Sequence, residues 1–124
     1  MPTPANLGTQ SATSGTTMII TTINQNVAVG DLIIVGITID ALSAPTVSSV
    51  VDNGSGGSNS YTQIITQNDV TSGTVGFIWS SIATHALPIG STITVTSSQT
   101  IFGGACGAAT LANMASYVKD VAVS

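Results

Sequence analysis

The segment Asp31-Leu32-Ile33-Ile34-Val35-Gly36-Ile37-Thr38-Ile39-Asp40 decides the fold of this chain. It is the most apolar stretch of the sequence, and an aspartate bounds it at each end. Hydrophobic periodicity alone does not separate a buried strand from a buried helix in so short a run. The isoleucines, the valine and the central glycine favour a strand that is covered on both faces.

The rest of the chain is equally rich in β-branched residues, which fit a pleated sheet better than a helix. Its 124 residues include 26 isoleucines and valines against 5 leucines, and 35 serines and threonines. Turn signals separate further runs of this kind, which predict strands. These runs are 16–23, 46–51, 61–67, 74–83, 91–97, 101–114 and 117–123. In 101–114 the small residues would also suit a short helix, but we favour a strand.

We therefore predict an all-β protein, an antiparallel β-sandwich of about eight strands, jelly-roll or immunoglobulin-like. The run 91–97 alternates strictly, with Ile93 and Val95 inward, as expected of a half-exposed antiparallel strand. Residues 1–15 contain two prolines and show no hydrophobic period. They predict an extended N-terminal arm, and 16–124 predict one β-sandwich domain.

Charge is nearly absent, which excludes several classes of function. The chain has five aspartates, one lysine, no glutamate and no arginine, for a net charge of −4. Nucleic-acid binding needs cations that displace counterions from phosphates, so it is excluded. No apolar run is long enough for a membrane-spanning helix. The first residues lack the basic-then-apolar order of a signal peptide, so we expect synthesis in the cytoplasm without that export signal.

Two acidic features resemble metal or acid–base sites, and both have a plainer interpretation. Asp31 and Asp40 would lie about 30 Å apart on an extended strand, so we interpret them as turn caps at its ends. The run Asp52-Asn53-Gly54 to Asn59 offers the oxygen ligands of a Ca²⁺ loop but lacks the closing glutamate. A flexible hairpin loop at Asn53-Gly54 is the favoured interpretation. The run also lacks the Lys-Ser/Thr end of a phosphate-binding loop.

The nucleophilic side chains form no convincing catalytic set. His85 with Ser80 or Ser81 and Asp69 makes a nominal triad, but no Gly-x-Ser-x-Gly elbow surrounds either serine. The chain has no arginine to activate Cys106, which predicts a buried and inert thiol, and a lone cysteine forms no disulfide within the chain. We therefore predict no catalytic, cofactor-binding or metal-ligating residues, no cofactor and no enzymatic activity.

The aromatic residues are few and could stack on sugar rings in a binding module. Trp79 shares a predicted strand face with Val75 and Phe77, which favours packing in the core. Tyr61, at the end of the glycine-rich run, is the better candidate for exposure, and Tyr117 lies in the last predicted strand.

A series of short elements resembles a known family of β-sandwich modules. The elements are Val29-Gly30-Asp31 before the long aliphatic strand, Val47 to Gly54, Tyr61-Thr62, Trp79 with Ile82, and Gly90 to Thr96. The series is similar to modules of bacterial surface proteins and of phage virion and tail proteins, and it covers 16–97. Longer members continue past an acidic-Tyr-Ser-Gly element, whereas Leu111-Ala112-Asn113-Met114 stands here. The resemblance implies a small phage capsid decoration protein or another minor virion protein.

The low charge points in the same direction on physical grounds. Uncharged strand edges have little electrostatic protection against pairing, and uncharged surfaces are easily desolvated. We expect a structural virion subunit, a homo-oligomer (for example a trimer) packed against a major capsid or other lattice protein. The alternatives are a glycan- or host-binding module of a tail or surface protein, and a self-assembling extracellular filament subunit completed by donated strands.

Overall fold

The computed structural model of the chain describes residues 4–22, 25–41, 44–69, 73–112 and 114, with the backbone alone at 68 and 69. The described residues form eight strands and no helix. The strands are β1 (Ala5–Ala12), β2 (Thr17–Thr21), β3 (Leu32–Asp40), β4 (Val47–Asp52), β5 (Thr62–Asp69), β6 (Thr74–Ile82), β7 (Thr92–Ser97) and β8 (Gly103–Leu111). The segment from Leu32 to Asp40 is thus a strand, as its composition predicted.

The strands form two antiparallel sheets, which confirms the predicted β-sandwich. The larger sheet has the order β1-β8-β3-β6-β5, and the smaller has the order β2-β7-β4. Pairing is nested, since β1 pairs with β8, β2 with β7 and β3 with β6. This nesting is the order of a jelly roll. The chain departs from it at β5, which pairs with β6 and not with β4.

The core lies between the sheets and is almost entirely aliphatic. Inward and outward residues alternate along β2 and β7, as a sheet with one covered face requires. The central strand β3 contributes four fully or nearly fully buried side chains, Ile33, Val35, Ile37 and Ile39. Burying a side chain of this size stabilises the fold by roughly 1.5–3 kcal/mol, so the core is the main stabilising element.

The predicted N-terminal arm is extended, but most of it is a strand of the larger sheet. Strand β1 pairs with β8 from Ala5 opposite Thr110 to Ala12 opposite Gly104. Leu7 is fully buried in the core. A bulge between Asn6 and Gly8 interrupts the alternation of inward and outward residues in β1. Hydrophobic periodicity therefore does not reveal this strand. The last predicted strand, 117–123, lies outside the described residues.

The predicted hairpin at Asn53-Gly54 is wrong. Strand β4 pairs with β7 in the smaller sheet, and β5 pairs with β6 in the larger one. The segment 53–61 therefore crosses from one sheet to the other. It lies at the same end of the sandwich as 25–31 and 83–91, because β3 and β7 begin and β6 ends there.

Candidate functional site

The outer face of the larger sheet has a floor of very small side chains. The central strands β8, β3 and β6 form this floor. Gly36 of β3 lies directly opposite Gly107 of β8, and Thr38 lies between Ala105 and Gly76. We refer to Gly36, Thr38, Gly76, Ala105 and Gly107 as the trough.

Longer side chains from the neighbouring strands form the walls of the trough. Thr9 and Ser11 of the edge strand β1 lie on one side. Ile65 of β5 lies opposite Ile78 of β6 on the other side, and Ile78 is 37% exposed. Two open depressions, of about 570 and 350 Å³, adjoin along β3. The second is bounded by the isoleucine wall and is lined almost wholly by apolar atoms.

Nothing in the described part of the chain requires glycine at two positions of the trough, Gly36 and Gly76. Neither Gly36 nor Gly76 adopts a positive φ. A Cβ atom at Gly36 would meet no heavy atom within 4 Å, and one at Gly76 would come no closer than 3.9 Å to its neighbours. Gly104, by contrast, faces inward, where its Cβ atom would lie 3.0 Å from Ile101. Glycine inside a strand commonly marks a close approach by a ligand or another backbone.

The described surface carries almost no charge, because the structure buries or hydrogen-bonds its acidic groups. Asp31 is 7% exposed, and Asp52 is 9% exposed. Among the carboxylate side chains that the structure describes, Asp40 alone remains at the surface, at the end of β3. The trough itself contains no ionisable group.

The Asp52 carboxylate organises the segment 53–61 at the end of β4. Its Oδ1 atom accepts hydrogen bonds from the backbone nitrogens of Gly54 (2.9 Å) and Asn59 (3.1 Å). Its Oδ2 atom accepts from Asn59 Nδ2 (2.9 Å) and from the Tyr61 hydroxyl (2.8 Å). The segment is therefore held by hydrogen bonds and is not the flexible hairpin that was predicted.

Asn59 joins this segment to the neighbouring one, 83–91. Its Oδ1 atom accepts hydrogen bonds from the backbone nitrogens of Thr84 and His85, both at 2.8 Å. Its Nδ2 atom donates to the His85 carbonyl oxygen at 3.0 Å as well as to Asp52. Asn59 is 3% exposed, so the side chain acts as a buried clamp between the two segments.

The same network opposes the calcium interpretation of 52–59. Each carboxylate oxygen of Asp52 already accepts two hydrogen bonds from protein donors, so both are directed at N–H and O–H groups and not at an empty site. Among the described residues, no three His, Cys, Asp or Glu side chains come together. Burial, and then the hydrogen bond to Asp52, raise the pKa of the Tyr61 hydroxyl far above its ordinary value. The Tyr61 hydroxyl therefore stays protonated and can donate its hydrogen bond to Asp52.

The nominal triad is not assembled. His85 Nδ1 lies 3.1 Å from the Ser55 carbonyl oxygen, and the imidazole packs against Gly56 and Gly57. Ser81 Oγ donates to a backbone carbonyl of its own strand, β6. Asp69, whose backbone alone is described, ends β5 opposite Thr74, at the far end of the sheet from the segment that holds His85.

Asp31 and Cys106 are placed as predicted, whereas the predicted turn cap at Asp40 stays a prediction. The Asp31 carboxylate accepts a hydrogen bond from Ala28 N at 2.9 Å and so caps the turn before β3, while Asp40 ends that strand. Cys106 is buried in β8, and burial raises the pKa of its thiol to about 11. A thiol so shifted is almost wholly protonated at neutral pH and is a poor nucleophile.

Neither Trp79 nor Tyr61 offers a stacking platform, and of the described aromatic side chains only Phe102, just before β8, is strongly exposed, at 50%. Trp79 is half-buried against the core, as predicted, and its indole N–H is buried without an acceptor among the described residues. The predicted exposure of Tyr61 is wrong, because the ring packs against the core and its hydroxyl is bonded to Asp52. Tyr117 lies outside the described residues.

Sequence reasoning missed both the trough and the Asp52–Asn59 network. Gly36 was noted only as a residue that favours a strand. Its meaning depends on its neighbours Gly107 and Ile78, which lie far away along the chain and meet it only through the strand register. A glycine inside an otherwise aliphatic strand was the available signal.

No protein-family model, curated protein or solved structure matches this chain. Within the described residues, no helix is long and apolar enough to cross a bilayer.

Proposed function

We propose that this chain is a non-enzymatic structural protein of a phage virion, a capsid decoration or stabilising subunit that packs on the particle surface. The observation that carries the proposal is the nearly charge-free described surface, of which Asp40 is the remaining carboxylate. Soluble domains that live as free monomers usually cover themselves with charges of both signs. A surface of serine and threonine side chains with exposed isoleucine, valine and phenylalanine suits a protein that is mostly covered.

The mechanism is burial of uncharged β-sheet surface. Burying an ion pair removes water from both charges, and the free energy of this desolvation offsets much of the Coulomb attraction between them. A surface of hydroxyls, methyls and glycines avoids that penalty, so close packing and dispersion contacts stabilise the contact directly. Such a contact is not weakened by moderate salt as an ion pair is, because the described surface contributes almost no charge to screen.

The strand order adds support, since jelly rolls recur as capsid domains of viruses. Fold alone does not identify function, so this support is secondary to the surface chemistry. The sequence resemblance to virion and tail modules agrees with both. The partners proposed on these grounds are other copies of this chain and a major capsid or other lattice protein.

Density-gradient sedimentation of a lysate from the natural source tests the proposal. Mass spectrometry of each fraction locates the chain. We expect it to travel with particles of megadalton size. Recovery of the chain only near the top of the gradient, as a small species, would overturn the proposal.

A further inference from the structure

We infer that the trough is the docking site for a second copy of this chain, in a face-to-face contact of the two larger sheets. The inference rests on the proposed structural function and names the partner of one surface. It starts from the glycines of the trough.

Gly36 and Gly76 weaken their strands, and no contact among the described residues requires them to be glycine. A central strand position with an open outer face would normally hold a β-branched residue, which is favoured there. Replacing such a residue by glycine costs about 0.5–1 kcal/mol at each position. No positive φ and no internal contact compensates at Gly36 or Gly76. The space above them is therefore open to an occupant from outside the described residues, and we assign it to a second copy on the grounds that follow.

The shape of the face favours a second copy as that occupant. Gly36 of β3 pairs with Ile78 of β6. The open floor at Gly36 therefore lies directly beside the projecting side chain of Ile78. A twofold rotation places the isoleucine wall of one copy, Ile65 and Ile78, over the glycine floor of the other. Each copy then supplies both the projection and the space, as an isologous contact requires.

The size of the face is sufficient for a stable contact. Five strands at about 4.8 Å spacing and nine residues at about 3.3 Å give a face of about 24 by 30 Å, or about 700 Å² from each copy. Standard interfaces bury about 800 Å² from each partner. The face therefore approaches the size of a standard interface.

The chemistry of the face also fits a copy of itself. The trough contains no ionisable group, and its walls are threonine, serine, glutamine and isoleucine side chains. A charged partner would find no counter-charge here and would be buried unpaired at a penalty. The trough of a second copy has no such penalty, and the one described carboxylate on the face, Asp40, lies at the end of β3, outside the trough.

Sedimentation velocity of the purified chain, from low to high micromolar concentration, tests the inference with the variant Gly36→Leu. The added side chain enters open space in the isolated chain, so the thermal midpoint should be unchanged or higher. In the dimer it meets the partner, so the dissociation constant should rise by about tenfold or more. Thr94→Leu, which adds bulk to the outer face of the smaller sheet, is the matched control and should associate like the wild type.

The outcomes separate this inference from the proposed function. A wild-type dimer that Gly36→Leu weakens and Thr94→Leu does not supports the face-to-face contact. Association that is unchanged in Gly36→Leu overturns it, even if the chain sediments with particles. A chain that is monomeric at high micromolar concentration but sediments with particles also overturns it and leaves the structural function standing. If Gly36→Leu fails to fold, Gly76→Ala, whose Cβ atom has 3.9 Å of clearance, provides the same comparison.

Discussion

Val27 and Leu87 exchange two backbone hydrogen bonds, from Val27 N to Leu87 O at 2.8 Å and from Leu87 N to Val27 O at 2.9 Å. This bridge joins the segment before β3 to the segment before β7, although the two residues lie far apart in the sequence. Both side chains are buried. The bridge therefore fixes one end of the sandwich, where the chain crosses between the two sheets.

A matched pair of turns flanks the bridge. Asp31 N donates to Ala28 O at 3.1 Å, and Ser91 N donates to Pro88 O at 3.0 Å. The third residue of each turn is glycine, Gly30 with φ of 94° and Gly90 with φ of 96°. A turn with positive φ at this position requires glycine, which explains both residues. Gly30 N also donates to Ala83 O, just after β6, and Gly90 N donates to Thr22 O, just after β2.

The first prediction separates glycines needed by the backbone from glycines that are not. A Cβ atom at Gly90 or at Gly36 would meet nothing within 4 Å, so the two positions differ in φ alone. We expect Gly90→Ala to lower the free energy of unfolding by about 1 kcal/mol or more because of backbone strain. Gly36→Ala should leave it unchanged or raise it by up to about 1 kcal/mol. Urea denaturation of dilute protein measures both, and equal losses would contradict this account.

The second prediction concerns the buried clamp. Asn59→Ala removes hydrogen bonds to Asp52 and to the backbone of Thr84 and His85, and it leaves the partly buried nitrogens of Thr84 and His85 without this acceptor. We expect a loss of about 3 kcal/mol of unfolding free energy. The neighbouring exposed residue provides the control, because Ser60→Ala should change stability by less than about 0.5 kcal/mol. Similar effects of the two variants would show that the network contributes little.

The third prediction is a loss of stability at alkaline pH. The pKa of Cys106 is raised from 9.0 to about 11 in the folded chain, and the pKa of Tyr61 is raised further. Since the unfolded chain loses these protons first, stability is fully present below about pH 9 and falls as pH rises, by about 1.4 kcal/mol per pH unit for each group. Thermal midpoints from neutral pH to about pH 11 measure the slope. The double variant Cys106→Ala, Tyr61→Phe should flatten it, and an equal slope would refute the assignment.

The fourth prediction concerns Asn53-Gly54, a pair prone to deamidation when the glycine nitrogen attacks the asparagine side chain and releases ammonia. Here Gly54 N donates to Asp52 Oδ1 at 2.9 Å, and Asn53 Oδ1 accepts from Thr92 N at 2.7 Å. Both reacting groups are thus held in hydrogen bonds. We expect the folded chain to deamidate at this site at least tenfold more slowly than the urea-unfolded chain. A tenfold difference in rate corresponds to about 1.4 kcal/mol in activation free energy. Peptide mapping after incubation at mildly alkaline pH measures the ratio, and equal rates would contradict the structure.

The sequence predicted the strands well where one face is covered. Ile93 and Val95 alternate with threonines, and Val75 and Phe77 alternate within β6, because a half-buried strand imposes period two on its residues. Strand β1 escaped prediction, since a bulge beside Leu7 interrupts that period. The hairpin at Asn53-Gly54 was wrong because a dipeptide reports local turn preference, whereas the partners of β4 and β5 are set by packing across the sandwich.

The candidate site was less predictable than the fold. The clamp depends on Asn59 meeting His85, and the trough depends on Gly36 meeting Gly107 and Ile78. Such contacts arise from strand register between distant segments, which composition and periodicity do not encode. The low charge follows directly from the composition. The structure adds that the side chains of Asp31 and Asp52 are buried.

The central claim, that this chain is a structural component of a particle held by uncharged contacts, is tested most directly by its stoichiometry in purified particles before and after a high-salt wash. Labelled reference peptides quantify the chain relative to the most abundant particle protein. A protease other than trypsin is needed, because the chain has one lysine and no arginine. The account predicts a fixed molar ratio that survives the wash, since the described surface offers almost no charge to pair with the particle. A ratio that falls toward zero on washing would contradict it.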